Sequence, residues 1–151
     1  MTTSGWIVSV VTIDDLPEIF AIDNQSPSPW TYAQLEGEFF GTHGLQLVCR
    51  RPDNKQITGF IIGRTVVDEA EILRIATRAE DQHQGAACGL ISEFIRQIKA
   101  KGSHKCYLEL RSTNTPARRL YEKFDFQVTG LRKNYYSEPC DDALCMSLSL
   151  S

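Results

Sequence analysis

Six consecutive residues near the middle of the chain have the composition of a phosphate-binding loop. The run 82–87 reads Gln-His-Gln-Gly-Ala-Ala, follows a strand-like segment and opens an amphipathic helix. A helix start offers N–H groups without intrahelical partners and the positive end of the helix dipole, so it can hold phosphate oxygens without a basic side chain. Small side chains let a ligand approach the backbone, and Gly85 can adopt dihedral angles closed to other residues. The spacing predicts a pyrophosphate site, although a glycine before a helix is also typical of an ordinary turn.

The surrounding patterns predict a mixed sheet flanked by helices. Leu90, Phe94 and Ile98 recur at helical spacing and indicate a helix that covers the sheet and ends at Gly102. Glu109 alternates with apolar neighbours and lies on the mixed face of a later strand. Predicted strands are 6–11, 45–50, 56–67, 70–77, 106–111, 126–135 and 143–150, and the other predicted helices are 12–23, one that starts at Thr31, and 116–123. The chain therefore reads as an α+β domain with the loop near its middle.

Two short signals refine this order. Thr31 and Gln34 have the spacing of a capping box, which predicts a helix start. The stretch 25–30 holds two prolines and two serines and reads as a loop that borders a cleft.

Composition restricts the class of protein. The chain has 151 residues with 42% hydrophobic and 23% charged content, which predicts one soluble domain over 1–151. No apolar run is long enough to span a bilayer, and residues 1–11 carry no Lys or Arg ahead of an apolar core, so we expect a cytoplasmic protein without membrane contact. The net charge of -3 argues against direct nucleic-acid binding.

The cysteines indicate reduced thiols rather than a disulfide framework or a metal site. They are odd in number and fall mostly inside predicted strands and a helix, at Cys49, Cys88, Cys106, Cys140 and Cys145. No Cys-x-x-Cys pair occurs, and the His104 and Cys106 pair would need distant partners to complete a zinc site. We therefore expect no metal.

The order of motifs resembles the GCN5-related N-acetyltransferases (GNAT). The resemblance rests on Ile-Ala-Thr at 75–77, the Gln-x-x-Gly-x-Ala loop, Leu-Glu-Leu at 108–110, and Asn114 followed by Leu-Tyr-Glu-Lys-Phe at 120–124. More specific features resemble the bacterial ribosomal-protein-alanine acetyltransferases within that family: Pro-Trp at 29–30, Val-Asp-Glu-Ala at 67–70, and Arg-Lys-Asn-Tyr-Tyr at 132–136. Asp125 departs from the glycine usual in the family, which Asp tolerates because it accepts left-handed dihedral angles.

The resemblance implies the GNAT fold, a mostly antiparallel mixed sheet of about seven strands with splayed central strands and about four helices. It also implies acetyl-CoA as donor and the N-terminus of a protein, such as a ribosomal protein that begins with alanine, as acceptor. Glu109 matches the general base of the family and Tyr121 its general acid. The coenzyme would be bound by Ile75, Ala76, Thr77, His83, Gln84, Gly85, Ala86, Ala87, Cys88 and Asn114.

Each role has a structural alternative. A carboxylate at Glu109 can take the proton of an α-amine, whose reference pKa is about 7.7 to 8.0. The residues alone are equally consistent with a solvated strand glutamate or an ion pair to Arg111. Tyr121 could protonate the leaving thiolate or be a core tyrosine. Cys88 could accept acetyl covalently in a ping-pong scheme or be a small buried side chain. Direct transfer in a ternary complex needs only Glu109 and Tyr121.

Trp30, Tyr135 and Tyr136 are candidates for the walls of the acceptor site, although terminal-strand aromatics commonly serve packing. An acidic turn with Glu138, Asp141 or Asp142 could attract a basic peptide or a cationic amine. Two other functions stay open: a GNAT enzyme that acetylates a small-molecule amine, and an acyl-CoA-binding module without turnover. We expect a monomer or a weak dimer.

Overall fold

The computed structural model describes residues 2–3, 5–26 and 28–150. Its α-helices are α1 (Leu16–Asp23), α2 (Tyr32–Phe39), α3 (Ala86–Ala100) and α4 (Thr115–Glu122). Its strands are β1 (Thr2–Thr3), β2 (Trp6–Val10), β3 (Gly44–Arg50), β4 (Ile57–Val66), β5 (Glu69–Thr77), β6 (Lys105–Arg111), β7 (Gln127–Ser137) and β8 (Cys140–Ser149). The predicted order of strands and helices is confirmed.

The described strands form one sheet in the order β1-β2-β3-β4-β5-β6-β8-β7. Neighbouring strands are antiparallel except β5 and β6, which run parallel and are connected through α3. A parallel pair needs such a crossover because its strands must start at the same edge. If the two-residue β1 is set aside, seven strands remain, and the predicted α+β layout is confirmed.

Helices cover both faces of the sheet. On one face α3 buries Leu90, Phe94 and Ile98 in a cluster that includes side chains of β6 and α4. On the other face Ile22 of α1 and Leu35 of α2 pack in a separate cluster. Within the described residues, no helix combines the length and apolarity required to span a membrane.

Local signals are confirmed at three positions. The Thr31 hydroxyl accepts a hydrogen bond from the Gln34 backbone N–H at 3.1 Å, and the Thr31 N–H donates to the Gln34 side chain at 2.7 Å, which completes the capping box before α2. Asp125 adopts the left-handed conformation, with φ of 70°, at the turn where the family commonly has glycine. Gly102 follows α3 with φ of 90°.

Predicted boundaries were wrong in two regions, at the start of α1 and at the facing ends of β7 and β8. Residues 13–15 form a separate 3-10 turn before α1, because the Asp15 carboxylate accepts hydrogen bonds from the backbone N–H and the hydroxyl of Thr12 at 2.8 and 3.1 Å. The strands β7 and β8 extend further toward each other than predicted, to Ser137 and Cys140. Asp141 and Asp142 therefore lie in a strand rather than in an acidic turn.

Candidate active site

The two parallel central strands separate shortly after they pair. β5 and β6 are in register only at 69–71 and 105–107, and no further pairs join them along the rest of their described lengths. A β-bulge contributes to the divergence, because Ile72 pairs with Gly63 while Arg74 pairs with Ile62, which leaves Leu73 as an extra residue. We call the resulting gap the cleft. Beyond the paired segment, the β5 edge that faces β6 carries backbone groups available to an extended ligand.

The predicted phosphate-binding loop lies where β5 leads into α3. Gly85 is the N-cap of α3 and has φ of 90°, a conformation that favours glycine. Gln82, His83 and Gln84 are exposed, and Ala87 and Cys88 are half-buried, whereas the Ala86 side chain is buried. The loop is therefore open to solvent at the helix start, as an anion site requires.

Partly buried polar contacts hold this loop in place. Asp81, which is fully buried just before it, forms an ion pair with Arg51 of the β3–β4 turn. The Trp6 indole N–H donates to the Gln84 carbonyl at 3.1 Å, and Arg78 donates to the Ile57 carbonyl at 2.9 Å. These partners are remote in sequence, so the sequence patterns did not indicate them.

Glu109 lies on β6 with a side chain that is 28% exposed. It faces away from the buried Leu108 and borders a cavity of about 330 Å³. Its carboxylate forms an ion pair with Arg132 Nε of β7 at 3.5 Å, and the Cys145 thiol lies 4.0 Å from the same oxygen. The alternative of an ion pair between Glu109 and Arg111 was therefore wrong, because the partner of Glu109 is Arg132.

Tyr121 lies on α4 and is only 5% exposed, with its ring packed edge-on against Phe126. Burial, and next the nearby Cys106, raises the pKa of Tyr121, so its hydroxyl keeps its proton at neutral pH. Tyr121 belongs to the cluster under α3, whereas Glu109 faces the opposite side of the sheet. The two side chains can act on one ligand only through the cleft.

Asn114 has a clear structural role at the start of α4. Its side-chain oxygen accepts a hydrogen bond from the Ala117 N–H at 3.2 Å, which caps the helix. On the other strand, Ile75, Ala76 and Thr77 pair with β4 along one edge. The structure thus brings the strand edge, the loop and the start of α4 to the end of the sheet where the cleft widens.

The three aromatic candidates differ in exposure. Tyr135 is 52% exposed and contacts the half-buried Tyr136 edge-on, with ring centroids 5.1 Å apart. Burial and the charge of Glu109 raise the pKa of Tyr136, so this ring lies near the carboxylate. Trp30 is half-buried and has the Arg74 guanidinium 5.4 Å from its ring centroid. Tyr136 and Trp30 therefore lie on different sides of the cleft.

Asp141 and Asp142 serve local structure. The Ser112 and Thr113 hydroxyls donate to the Asp141 carboxylate at 2.7 and 2.6 Å, and these bonds lower its pKa. The Asp142 carboxylate accepts a hydrogen bond from the Asn134 N–H at 2.8 Å. Both carboxylates accept hydrogen bonds within the fold, and their attraction of a basic peptide stays a prediction.

All five cysteines are free thiols. Burial raises the pKa of Cys106 to about 12 and also raises that of Cys49, so neither is a reactive thiolate. Cys88 lies in the first turn of α3, and no hydrogen bond joins it to a histidine in the described part of the chain. Over the same residues, no three His, Cys, Asp or Glu side chains group as a metal site would require.

Comparison with known proteins gives consistent matches. A model of the acetyltransferase (GNAT) family matches residues 12–126. A [ribosomal protein bS18]-alanine N-acetyltransferase of Haemophilus influenzae is 36% identical over 137 residues, which covers 88% of this chain and 89% of that protein. The enzyme of the same name from Escherichia coli K12 is 30% identical over 150 residues, with 95% and 97% covered.

Solved structures agree in fold. The crystal structure of the ribosomal-protein-S18-alanine N-acetyltransferase from Escherichia coli has a TM-score of 0.90 and 28% identity, and covers 97% of this chain and 94% of that one. The structure of Arabidopsis thaliana NAA60 in complex with acetyl-CoA has a TM-score of 0.85 at 17% identity, over 96% and 98% of the two chains. The second match concerns the fold alone.

Proposed function

The chain belongs to the acetyltransferase (GNAT) family, and we propose that it transfers acetyl from acetyl-CoA to the N-terminal α-amine of a ribosomal protein that begins with alanine. The observation that carries the proposal is the cleft, with an open helix start at one end and a half-exposed carboxylate beside it. The bS18-alanine acetyltransferases that match nearly the whole chain support the choice of acceptor.

The residues around the cleft fit acetyl-CoA. The N–H groups at 83–88 are suited to the diphosphate, because they lie at the start of α3, which has no side-chain cap. The β5 edge at Ile75, Ala76 and Thr77 is suited to the amide groups of the pantetheine arm, which can continue the sheet in the cleft. Asn114 would contact the coenzyme further along, at the start of α4.

Glu109 acts as the base in this proposal. An α-amine is largely protonated at neutral pH and must lose a proton before it attacks. Glu109 accepts that proton directly or through a water, and the amine nitrogen then bonds to the thioester carbonyl carbon. Backbone N–H groups near Ala76 stabilise the negative charge that develops on the carbonyl oxygen.

Tyr121 completes the proton balance. The carbon–sulfur bond breaks, and the leaving sulfur takes a proton from the Tyr121 hydroxyl, which burial keeps protonated. Glu109 and Tyr121 face opposite sides of the sheet. In this proposal Glu109 therefore contacts the acceptor amine, and Tyr121 contacts the sulfur of the coenzyme. No covalent acetyl-enzyme is needed, and transfer is direct within a ternary complex.

The decisive experiment incubates the protein with acetyl-CoA and a panel of acceptors, and mass spectrometry then locates the acetyl group. The panel holds peptides that begin with alanine, the same peptides with a blocked N-terminus, and small amines such as polyamines and amino acids. We expect acetylation of the unblocked alanine peptides alone. Transfer to small amines would favour the metabolite enzyme, and coenzyme binding without transfer would favour the non-catalytic module.

A further inference from the structure

One exposed residue, Ser28 in the loop between α1 and α2, is held by arginines from both diverging strands. Arg74 of β5 donates through Nη2 to the Ser28 carbonyl at 2.7 Å. Arg111 of β6 donates through Nη2 to the Ser28 hydroxyl at 3.1 Å. The loop therefore connects the two strands on the sheet face that carries Glu109, where few backbone bonds join them.

Arg74 fastens the loop to the β5 side. Its Nε forms an ion pair with the fully buried Asp23, and its Nη2 also donates to the Ser26 hydroxyl at 2.8 Å. The Asp23 carboxylate in turn accepts the Trp30 N–H at 2.7 Å, and the Trp30 ring lies beside the Arg74 guanidinium. The position of Trp30 thus depends on Arg74.

Arg111 fastens the same loop to the β6 side. It donates to the Glu138 and Pro139 carbonyls in the β7–β8 turn at 3.0 and 2.6 Å. Its guanidinium also lies 4.3 Å from the Tyr136 ring centroid. The planar guanidinium of Arg111 thereby sets the positions of the β7–β8 turn, of Tyr136 and of Ser28. The single ammonium group of a lysine cannot contact all three with the same geometry.

We propose that Arg74, Ser28 and Arg111 form a clasp that fixes the width of the cleft on the acceptor side and the separation of Trp30 from Tyr136. The clasp residues are positioning residues, and the inference rests on the proposed transfer to a peptide amine. The register supports it: β5 and β6 pair at 69–71 and 105–107, so their far ends need a separate tie. A clasp of this kind governs acceptor binding and leaves the coenzyme loop unaffected.

The test compares Ser28→Ala, Ser28→Thr and Arg111→Lys in steady-state acetylation of an alanine-initiated peptide. Loss of one charge-assisted hydrogen bond in Ser28→Ala should raise the KM for the peptide about fivefold. Its kcat and its affinity for acetyl-CoA should match those of the wild type, and Ser28→Thr should retain the wild-type KM. In the Arg111→Lys background, Ser28→Ala should add no further change, because the hydroxyl has already lost its partner.

Arg118→Lys is the matched control, since Arg118 lies on α4 and its only side-chain partner among the described residues is Glu122 at 3.4 Å. Its KM should equal that of the wild type. A wild-type KM in both Ser28→Ala and Arg111→Lys, or a Ser28→Ala effect that persists in Arg111→Lys, would overturn the clasp.

Amide hydrogen exchange separates this inference from the proposed function. Ser28→Ala should speed exchange of the Trp30 amide and leave that of the α3 amides unchanged. If the wild type acetylates no peptide, the proposed function fails, while faster exchange still supports the tie across the cleft. If peptide acetylation is intact and neither exchange nor KM changes, the function stands and the clasp fails. Faster exchange with an unchanged KM also refutes the role in acceptor binding.

Discussion

Glu109 is a strand glutamate whose carboxylate is half-exposed and paired with an arginine, and the same description fits Glu71 of β5, which lies 3.5 Å from Arg64. Glu109→Gln should lower kcat about a hundredfold at neutral pH, because the amide cannot accept the proton of the amine. Acetyl-CoA affinity, measured by calorimetry, should change little. Glu71→Gln is the control and should retain activity. Equal rates in the two variants would remove Glu109 as the base.

The Tyr121 hydroxyl should matter for release of the thiol. We expect Tyr121→Phe to lower kcat roughly tenfold, less than a general acid commonly contributes, because a thiolate is already a good leaving group. Tyr107→Phe serves as control, since its hydroxyl bonds to Glu69 at 3.1 Å and faces the opposite side of the sheet. Thermal unfolding checks that both proteins are folded. An undiminished kcat in Tyr121→Phe would exclude the hydroxyl as the acid.

Cys88 decides between direct transfer and a covalent intermediate. Cys88→Ala should retain the kcat of the wild type, and intact mass measured after incubation with acetyl-CoA alone should give no acetyl adduct on the wild type. Cys140→Ala controls for loss of an exposed thiol elsewhere. An inactive Cys88→Ala protein that still binds the coenzyme would support the ping-pong scheme.

At the scale of elements, α3 has a glycine with the same backbone conformation beside each end. Gly85 and Gly102 both have φ of 90°, and a Cβ at either would meet no serious clash. An alanine at either position would therefore cost about 1 kcal/mol of folding free energy through strain alone. Gly85→Ala should in addition weaken acetyl-CoA binding about tenfold, because the strained loop shifts its N–H groups.

Calorimetry on Gly85→Ala and Gly102→Ala separates these effects. Equal losses of stability with a loss of affinity in Gly85→Ala alone would support the loop as the diphosphate site. Equal affinities in the two variants would contradict it.

The elements themselves were largely predictable because their signals are local. The helical spacing of Leu90, Phe94 and Ile98 and the capping box at Thr31 each involve residues within a few positions of one another. The errors came where a side chain overrides the pattern, as when Asp15 closes a 3-10 turn onto Thr12 within the first turn of the predicted helix.

At the scale of the whole molecule, buried carboxylates link stability to pH. The hydrogen bonds from Arg96, and then from Gln97, lower the pKa of Glu93, which is only 3% exposed on α3. A carboxylate whose pKa is lower in the folded than in the unfolded protein stabilises the fold at pH values above its unfolded-state pKa, which is about 4.3 for Glu. That contribution is lost as the pH falls through the folded pKa.

Glu93→Gln should therefore lower the free energy of unfolding by about 1 kcal/mol at pH 7, and the difference from the wild type should disappear as the pH falls through the folded pKa of Glu93. Urea unfolding at a series of pH values measures both the loss of stability at pH 7 and its disappearance in acid. Glu122→Gln, which removes an exposed ion pair on α4, should give little difference at any pH. A Glu93→Gln deficit that persists in acid would mean that packing, and not charge, is responsible.

The sequence by itself determined the order of strands and helices, the small-residue loop before α3 and the resemblance to the GNAT family, because each depends on residues close together in the chain. The tertiary structure decided which side chains contact one another. Arg132 rather than Arg111 pairs with Glu109, and Ser28 is bound from both β5 and β6. Such contacts depend on strand register, on the bulge at Leu73 and on the divergence of β5 from β6. No local pattern encodes them, since the partners are brought together only when the sheet forms.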